Sequence, residues 1–89
     1  MLLESDRLTI IETGKRYGAK LILLFGSSKS SQHEGRDIDI AVEGITPQDF
    51  FSFYGDVMFA VSKPIDVIDL SKETRFTRYI RGNAITLYE

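Results

Sequence analysis

The sequence predicts a single α/β (α+β) domain, a small mixed β-sheet flanked by helices. Three observations carry this expectation. Leu21-Ile22-Leu23-Leu24-Phe25 is an unbroken apolar run, as in a central strand covered on both faces. Asp37 to Val42 alternates in the period of a half-buried strand. A segment of helical period then separates it from a third apolar run, Ile65 to Leu70, and is long enough for a crossover between strands of one sheet.

The elements follow in order. Ser5 to about Arg16 reads as a helix, with Ser5 as N-cap and Leu8 and Ile11 on one face, broken at Gly18. The strand Leu21 to Phe25 stops at Gly26. Residues 27–36 (SSKSSQHEGR) are small and polar, with room for a short helix and a turn at Gly35. The second strand ends at Gly44. Thr46-Pro47-Gln48-Asp49 then supplies an N-cap, a proline at the first helical position and an acid at the third. Phe50, Tyr54, Val57, Met58 and Val61 share one face of that helix. Phe51 and Phe53 add more aromatic surface than one face needs, which leaves part of it for a partner. Pro64 closes the segment. Ser71 can cap a further helix carrying Phe76, Tyr79 and Ile80, ended by Gly82, and Ala84 to Tyr88 reads as a last strand.

Eighty-nine residues with 43% hydrophobic and 11% aromatic content suffice for one core, so residues 1–89 are expected to form one domain. A domain of this size buries a little over roughly 60% of its unfolded surface. The absence of cysteine excludes disulfides and thiolate metal sites and fits the cytoplasm. A net charge of −2, without a basic aromatic surface, argues against direct nucleic-acid binding. The longest clean apolar run has five residues, far short of the ~20 needed to span a bilayer, so no membrane role is expected.

The chemistry concentrates in two places. Gly26 ends a buried strand, so the backbone can turn tightly and approach a ligand; Ser27 and Ser28 offer hydroxyls and amides to a phosphate. The bland reading is an ordinary strand-terminating turn, and neither a Walker loop nor a dinucleotide fingerprint is present. Within a strand, Asp37 and Asp39 share a face with Cα atoms ~6–7 Å apart. At that separation two carboxylates repel by roughly 2–3 kcal/mol at an effective dielectric of ~20. A divalent cation reverses the sign, and magnesium needs only one or two carboxylates beside waters and substrate phosphates. The bland reading is a solvated turn leading into a strand. A calcium loop would need ligands where Ala41 and Val42 stand, and an aspartyl-phosphate nucleophile would follow its strand rather than precede it. Asp66, in an apolar run, is preferred as a third acid over Asp69, which lies nearer the strand's end and reads as exposed or capping the helix after Ser71. Lys29, Arg36 and His33 read as solvated loop residues.

Taken in order, Phe25-Gly26-Ser27, Asp37-Ile38-Asp39 and Ile65-Asp66-Val67 resemble the minimal nucleotidyltransferases of the DNA polymerase beta superfamily. The resemblance runs through nearly the whole chain, to Ala84-Ile85-Thr86-Leu87-Tyr88-Glu89. It implies a polymerase beta-like fold, with Gly26, Ser27 and Ser28 on the nucleotide and Asp37, Asp39 and Asp66 as catalytic, metal-binding acids. It further implies two Mg2+ ions, ATP as substrate, attack of a hydroxyl on the α-phosphate and release of pyrophosphate. The implied acceptor is a tyrosine of a HEPN-domain toxin, with this chain as the antitoxin. Two differences from the family pattern stand out. Nine residues separate Ser27 from Asp37, one fewer than is usual, and Ser28-Lys29-Ser30-Ser31 replaces an arginine-rich turn. Retention of all three acids favours an active enzyme. The alternative is a non-catalytic subunit that neutralises its partner by occlusion. The residues leave the acceptor, the nucleotide preference and the oligomeric state open, homo-oligomers included.

Overall fold

A computed structural model describes residues 2–26 and 37–89. Among these residues the order is α1 (Glu4–Arg16), β1 (Leu21–Phe25), β2 (Ile38–Glu43), α2 (Pro47–Ala60), β3 (Ile65–Asp69), α3 (Arg75–Asn83) and β4 (Ile85–Tyr88). The strands form one mixed sheet in the order β3-β2-β1-β4. β1 is antiparallel to both β2 and β4, while β2 and β3, joined through α2, are parallel. The expected α/β sheet with a crossover helix is therefore present.

Side-chain alternation divides the core between the two faces of the sheet. Ile22 and Leu24 of β1, Ile38, Ile40 and Val42 of β2, and Ile65 and Val67 of β3 pack with Ile10 of α1 and Phe53 and Val57 of α2. On the opposite face Leu23, Ala41 and Leu70 pack against Ile80 of α3. The run Leu21–Phe25 thus feeds both clusters, the reason it shows no polar alternation.

Several boundaries differ from the sequence expectation. Helix α1 starts at Glu4, not after Ser5: Leu3 is the extended N-cap and contributes no side-chain bond. Its first turn is held through Asp6 instead, which is 4% exposed. The Asp6 carboxylate accepts the Ser62 amide at 3.0 Å and the Ser62 hydroxyl at 2.6 Å, tying α1 to the exit from α2. At the other end of α1, Tyr17 donates to Asp56 at 2.6 Å and its ring meets Phe53 edge-on. Helix α2 begins as expected, with Thr46 accepting the Asp49 amide and Pro47 at the first turn. Its inward face is centred on Phe53 and Val57, both fully buried, whereas Met58 is 48% exposed. Helix α3 is capped by Thr74, not Ser71, in a reciprocal box with Thr77, and Gly82 lies inside it. Ser71 instead donates its amide to Asp69 at 2.9 Å, closing the turn after β3. Phe76 and Tyr79 are 50% and 62% exposed, leaving Ile80 as the anchor of α3. Arg81 fastens that helix to Glu43 and to the Leu70 carbonyl. Among the described residues no helix is long and apolar enough to cross a membrane.

Asp6→Ala leaves two donors of Ser62 without their acceptor and is expected to lower stability by about 1–3 kcal/mol in urea denaturation. Glu4→Ala removes only the exposed ion pair with Arg7 and is expected to change stability by less than about 0.5 kcal/mol.

Candidate active site

The antiparallel pairing of β1 with β2 and the parallel pairing of β2 with β3 bring three chain segments to one end of the sheet. The C-terminal end of β1 lies beside the N-terminal ends of β2 and β3. Phe25 is the register partner of Asp39, and Asp39 is the register partner of Asp66. Neighbouring strands lie ~4.8 Å apart, and in-register partners present their side chains on the same face. Two carboxylates with 26 residues between them in sequence (66 − 39 − 1) therefore emerge side by side.

Asp37 lies one residue before β2, so the expected strand from Asp37 to Val42 is shifted to Ile38–Glu43. Its charge still reaches the pair. Burial first, then the charges of Asp66 and Asp37, push the Asp39 carboxyl above its ordinary value. Asp39 is half-buried and Asp66 is exposed at the sheet edge, not enclosed in an apolar environment as its neighbours in sequence suggested. Asp69, expected to be exposed or to cap the following helix, is instead half-buried and accepts the Ser71 amide in the turn after β3, while Thr74 caps α3.

Gly26 faces Asp39 directly. Its φ is +75°, a conformation open to glycine and strained for other residues. A Cβ built at position 26 would overlap the Asp39 carboxylate, with Oδ2 as the nearest atom. The absence of a side chain at Gly26 is what leaves space for that carboxylate and for anything it binds. Ser27 and Ser28, expected to contact phosphate, lie outside the described residues, as do Lys29, His33 and Arg36.

Two further residues border the acids. The Tyr54 hydroxyl lies 3.3 Å from the Ile65 carbonyl and 3.4 Å from Oδ1 of Asp66, donating toward both. Sequence periodicity marks Tyr54 only as core; the one available signal was that a tyrosine on a buried face needs a partner for its hydroxyl. On the apolar side, Phe25 and Phe76 pack edge to face with centroids 5.9 Å apart, so α3 begins against the strand that carries Gly26.

Among the described residues no group of three or more acids or histidines converges as a ready-made metal cage. The donor set nonetheless fits a magnesium ion of the kind that takes one or two carboxylates and completes its shell with water and substrate phosphate. The space over Gly26 beside Asp39 supports that fit. A depression of about 270 Å³ lined by Pro47, Phe50, Phe51, Asp69, Ser71 and Lys72 lies at the opposite end of β3 and takes no part in this cluster.

The electrostatics have a sign that solution measurements can read. An aspartate with a raised folded-state pKa loses stability as pH rises from its ordinary value near 3.8 through the raised one, and the full penalty persists above that. Without metal, Asp39→Asn is therefore expected to melt a few degrees above the unsubstituted protein at neutral pH, the difference vanishing below the ordinary aspartate pKa. Added Mg2+ should raise the melting temperature of the unsubstituted protein and leave Asp39→Asn nearly unchanged. Gly26→Ala, strained in φ and overlapping Asp39, is expected to cost about 1–2 kcal/mol of stability in urea denaturation.

Comparison with known proteins bears on what this geometry serves. Comparison with curated proteins gives no match. Solved structures share the fold. One is a toxin–antitoxin complex with AMP-PNP, at 20% identity and TM-score 0.74, over 97% of this chain and 73% of that one. A second is a complex of the tri-AMPylated Shewanella oneidensis HEPN toxin with its MNT antitoxin, at 21% identity and TM-score 0.71, over 93% and 69% of the two chains. A third is described as a minimal nucleotidyltransferase, at 17% identity and TM-score 0.67, over 89% and 86%. The family model for polymerase beta nucleotidyltransferases matches residues 9–89, nearly the whole chain, and the chain therefore belongs to that nucleotidyltransferase family.

Proposed function

We propose that the chain is a Mg2+-dependent, cytoplasmic nucleotidyltransferase that moves AMP from ATP to a hydroxyl, a tyrosine, of a HEPN-domain partner protein whose toxicity it thereby neutralises. The observation that carries this reading is the register pair Asp39–Asp66 beside the side-chain-free Gly26. Support comes from the structural relatives, one a complex with AMP-PNP and one holding an AMPylated HEPN toxin.

In this reading Asp37 and Asp39, with Asp66, hold two magnesium ions, which neutralise phosphate charge and polarise the α-phosphate when bound. Gly26, with Ser27 and Ser28, holds the triphosphate against the end of β1. Asp66, the most exposed of the acids that face one another across the β2–β3 ladder, receives the proton of the acceptor hydroxyl. The Tyr54 hydroxyl, 3.4 Å from Oδ1, restrains the Asp66 carboxylate. The acceptor oxygen forms a bond to the α-phosphorus, the bond to the β-phosphate bridging oxygen breaks, and pyrophosphate departs with that electron pair. Among the described residues Asp66 is exposed, which suits approach by a protein acceptor.

The test uses ATP labelled at the α-phosphate, Mg2+ and a HEPN-domain protein as acceptor. Label is expected on an acceptor tyrosine, with at least about a hundredfold loss for Asp39→Asn and for Asp66→Asn. Equal labelling by the Asp39 variant would remove the role given to that residue. Full neutralisation by an Asp37→Asn/Asp39→Asn double variant without nucleotide would instead establish occlusion as the mechanism.

A further inference from the structure

Helix α3 holds one aromatic ring beside the acid cluster that the core does not absorb. Phe76 is 50% exposed, although it shares its helix with the fully buried Ile80. Its ring meets that of Phe25 edge to face, with centroids 5.9 Å apart and planes at 82°. A perpendicular pair of this kind leaves at least one face of the Phe76 ring unspent.

Phe25 joins that ring to the site. It is the register partner of Asp39 across the β1–β2 pairing and the residue immediately before Gly26. The Cβ atoms of such partners lie about 4.5–5.5 Å apart on one face of the sheet. The Phe76 ring is therefore one side chain removed from the Asp39 carboxylate, on the sheet face that bears it. In a nucleotide, a single sugar separates the α-phosphate from the base. An ATP whose phosphates lie at Gly26 and Asp39 has its base within reach of Phe76.

The ring is also held in place. It occupies the first turn of α3, between Arg75 and Thr77. Thr77 is buried, closes the cap with Thr74 and donates its hydroxyl to the Lys72 carbonyl at 2.9 Å. One turn further on, Ile80 anchors the helix against Leu23, Ala41 and Leu70. A ring fixed in this way loses little further freedom when a ligand stacks on it, which makes a single stacking contact effective. The exposed rings of Phe51 and Phe59 have no comparable tie to the acids, because α2 packs on the opposite sheet face.

We infer that the Phe25–Phe76 pair is the base subsite of the nucleotide site, the exposed Phe76 ring stacking on the purine of ATP while Gly26 and Asp39 hold its phosphates. This assignment rests on the nucleotidyl-transfer reading above and adds to it the group that holds the base. A phenyl ring offers no hydrogen-bonding atom, so the subsite retains the base through its π-face and does not read its edge.

Titration calorimetry in Mg2+ tests this with two probes, ATP and inorganic tripolyphosphate, which carries phosphates without a base. Phe76→Leu keeps apolar bulk and removes the ring. It is expected to weaken ATP binding about 5- to 150-fold and to leave tripolyphosphate binding within about twofold, with unchanged circular dichroism. The chain contains no tryptophan, so Phe76→Trp restores a ring and installs a single reporter. That variant should bind ATP at least as tightly as the unsubstituted chain, its fluorescence quenched by ATP and not by tripolyphosphate. Phe59→Leu, on α2, should change neither affinity. Unchanged ATP affinity in Phe76→Leu, an equal loss for both probes, or Phe76→Trp fluorescence indifferent to ATP would overturn the base subsite and leave the nucleotide site standing. Binding of neither probe by the unsubstituted chain would instead remove the nucleotide site, and the subsite with it.

Discussion

The parallel register of β2 on β3 is the constraint on which the rest of this molecule depends. One alignment, Ile38 on Ile65 through Val42 on Asp69, sorts the two strands into an apolar face and an acidic one. Ile38, Ile40, Val42, Ile65 and Val67 are all 7% exposed or less. A slip of one residue between the two strands would turn the apolar side chains of one of them outward and bury its acid in their place. Full burial of five such side chains contributes about 7–15 kcal/mol, whereas two carboxylates one strand spacing apart repel by between about 1 and 3.5 kcal/mol, depending on the dielectric. Hydrophobic burial on one face thus holds two like charges together on the other. The carboxylates do not organise themselves; they are held against their repulsion.

That conflict explains the surroundings of the acids. Glycine at position 26 removes a side chain that would collide with Asp39. Tyr54 reaches the edge strand with its hydroxyl at the Ile65 carbonyl and the Asp66 carboxylate, joining the α2 side of the sheet to the acid side. Each contact restricts a carboxylate without neutralising it, so the cluster keeps its negative charge and its raised Asp39 pKa. A site of this kind gains most from a cation, because the folded protein has already borne the cost of assembling the charges.

The two sheet faces also divide the work. Helices α1 and α2 close one face, fastened by the buried Asp6–Ser62 contact and by Tyr17 against Asp56 and Phe53. On the other face α3 packs over Leu23, Ala41 and Leu70, and among the described residues Asp39 is left half-buried and Asp66 exposed.

Local pattern in the chain determined the strands, the crossover helix with its Thr46-Pro47 start, the turn at Gly26 and the two acids of the Asp37-Ile38-Asp39 run. Each rests on periodicity or on the backbone freedom of one residue, and such signals survive without neighbours. Tertiary structure decided what depends on a distant partner. The first helix starts at Glu4 because Ser62, remote in sequence, holds Asp6 in its first turn. The inward face of α2 was ambiguous because apolar residues occur all round that helix; packing against Tyr17 and the sheet selected Phe53 and left Met58 outside. The Thr74–Thr77 cap went unread because its third position is a threonine rather than an acid or amide. Asp66 looked enclosed in sequence, yet β3 is an edge strand, which only the strand order reveals. The pairing of Asp39 with Asp66 belongs to the same class. The sequence holds both residues, but which atoms lie opposite each other is set by register, and register is chosen by the buried face of the whole sheet.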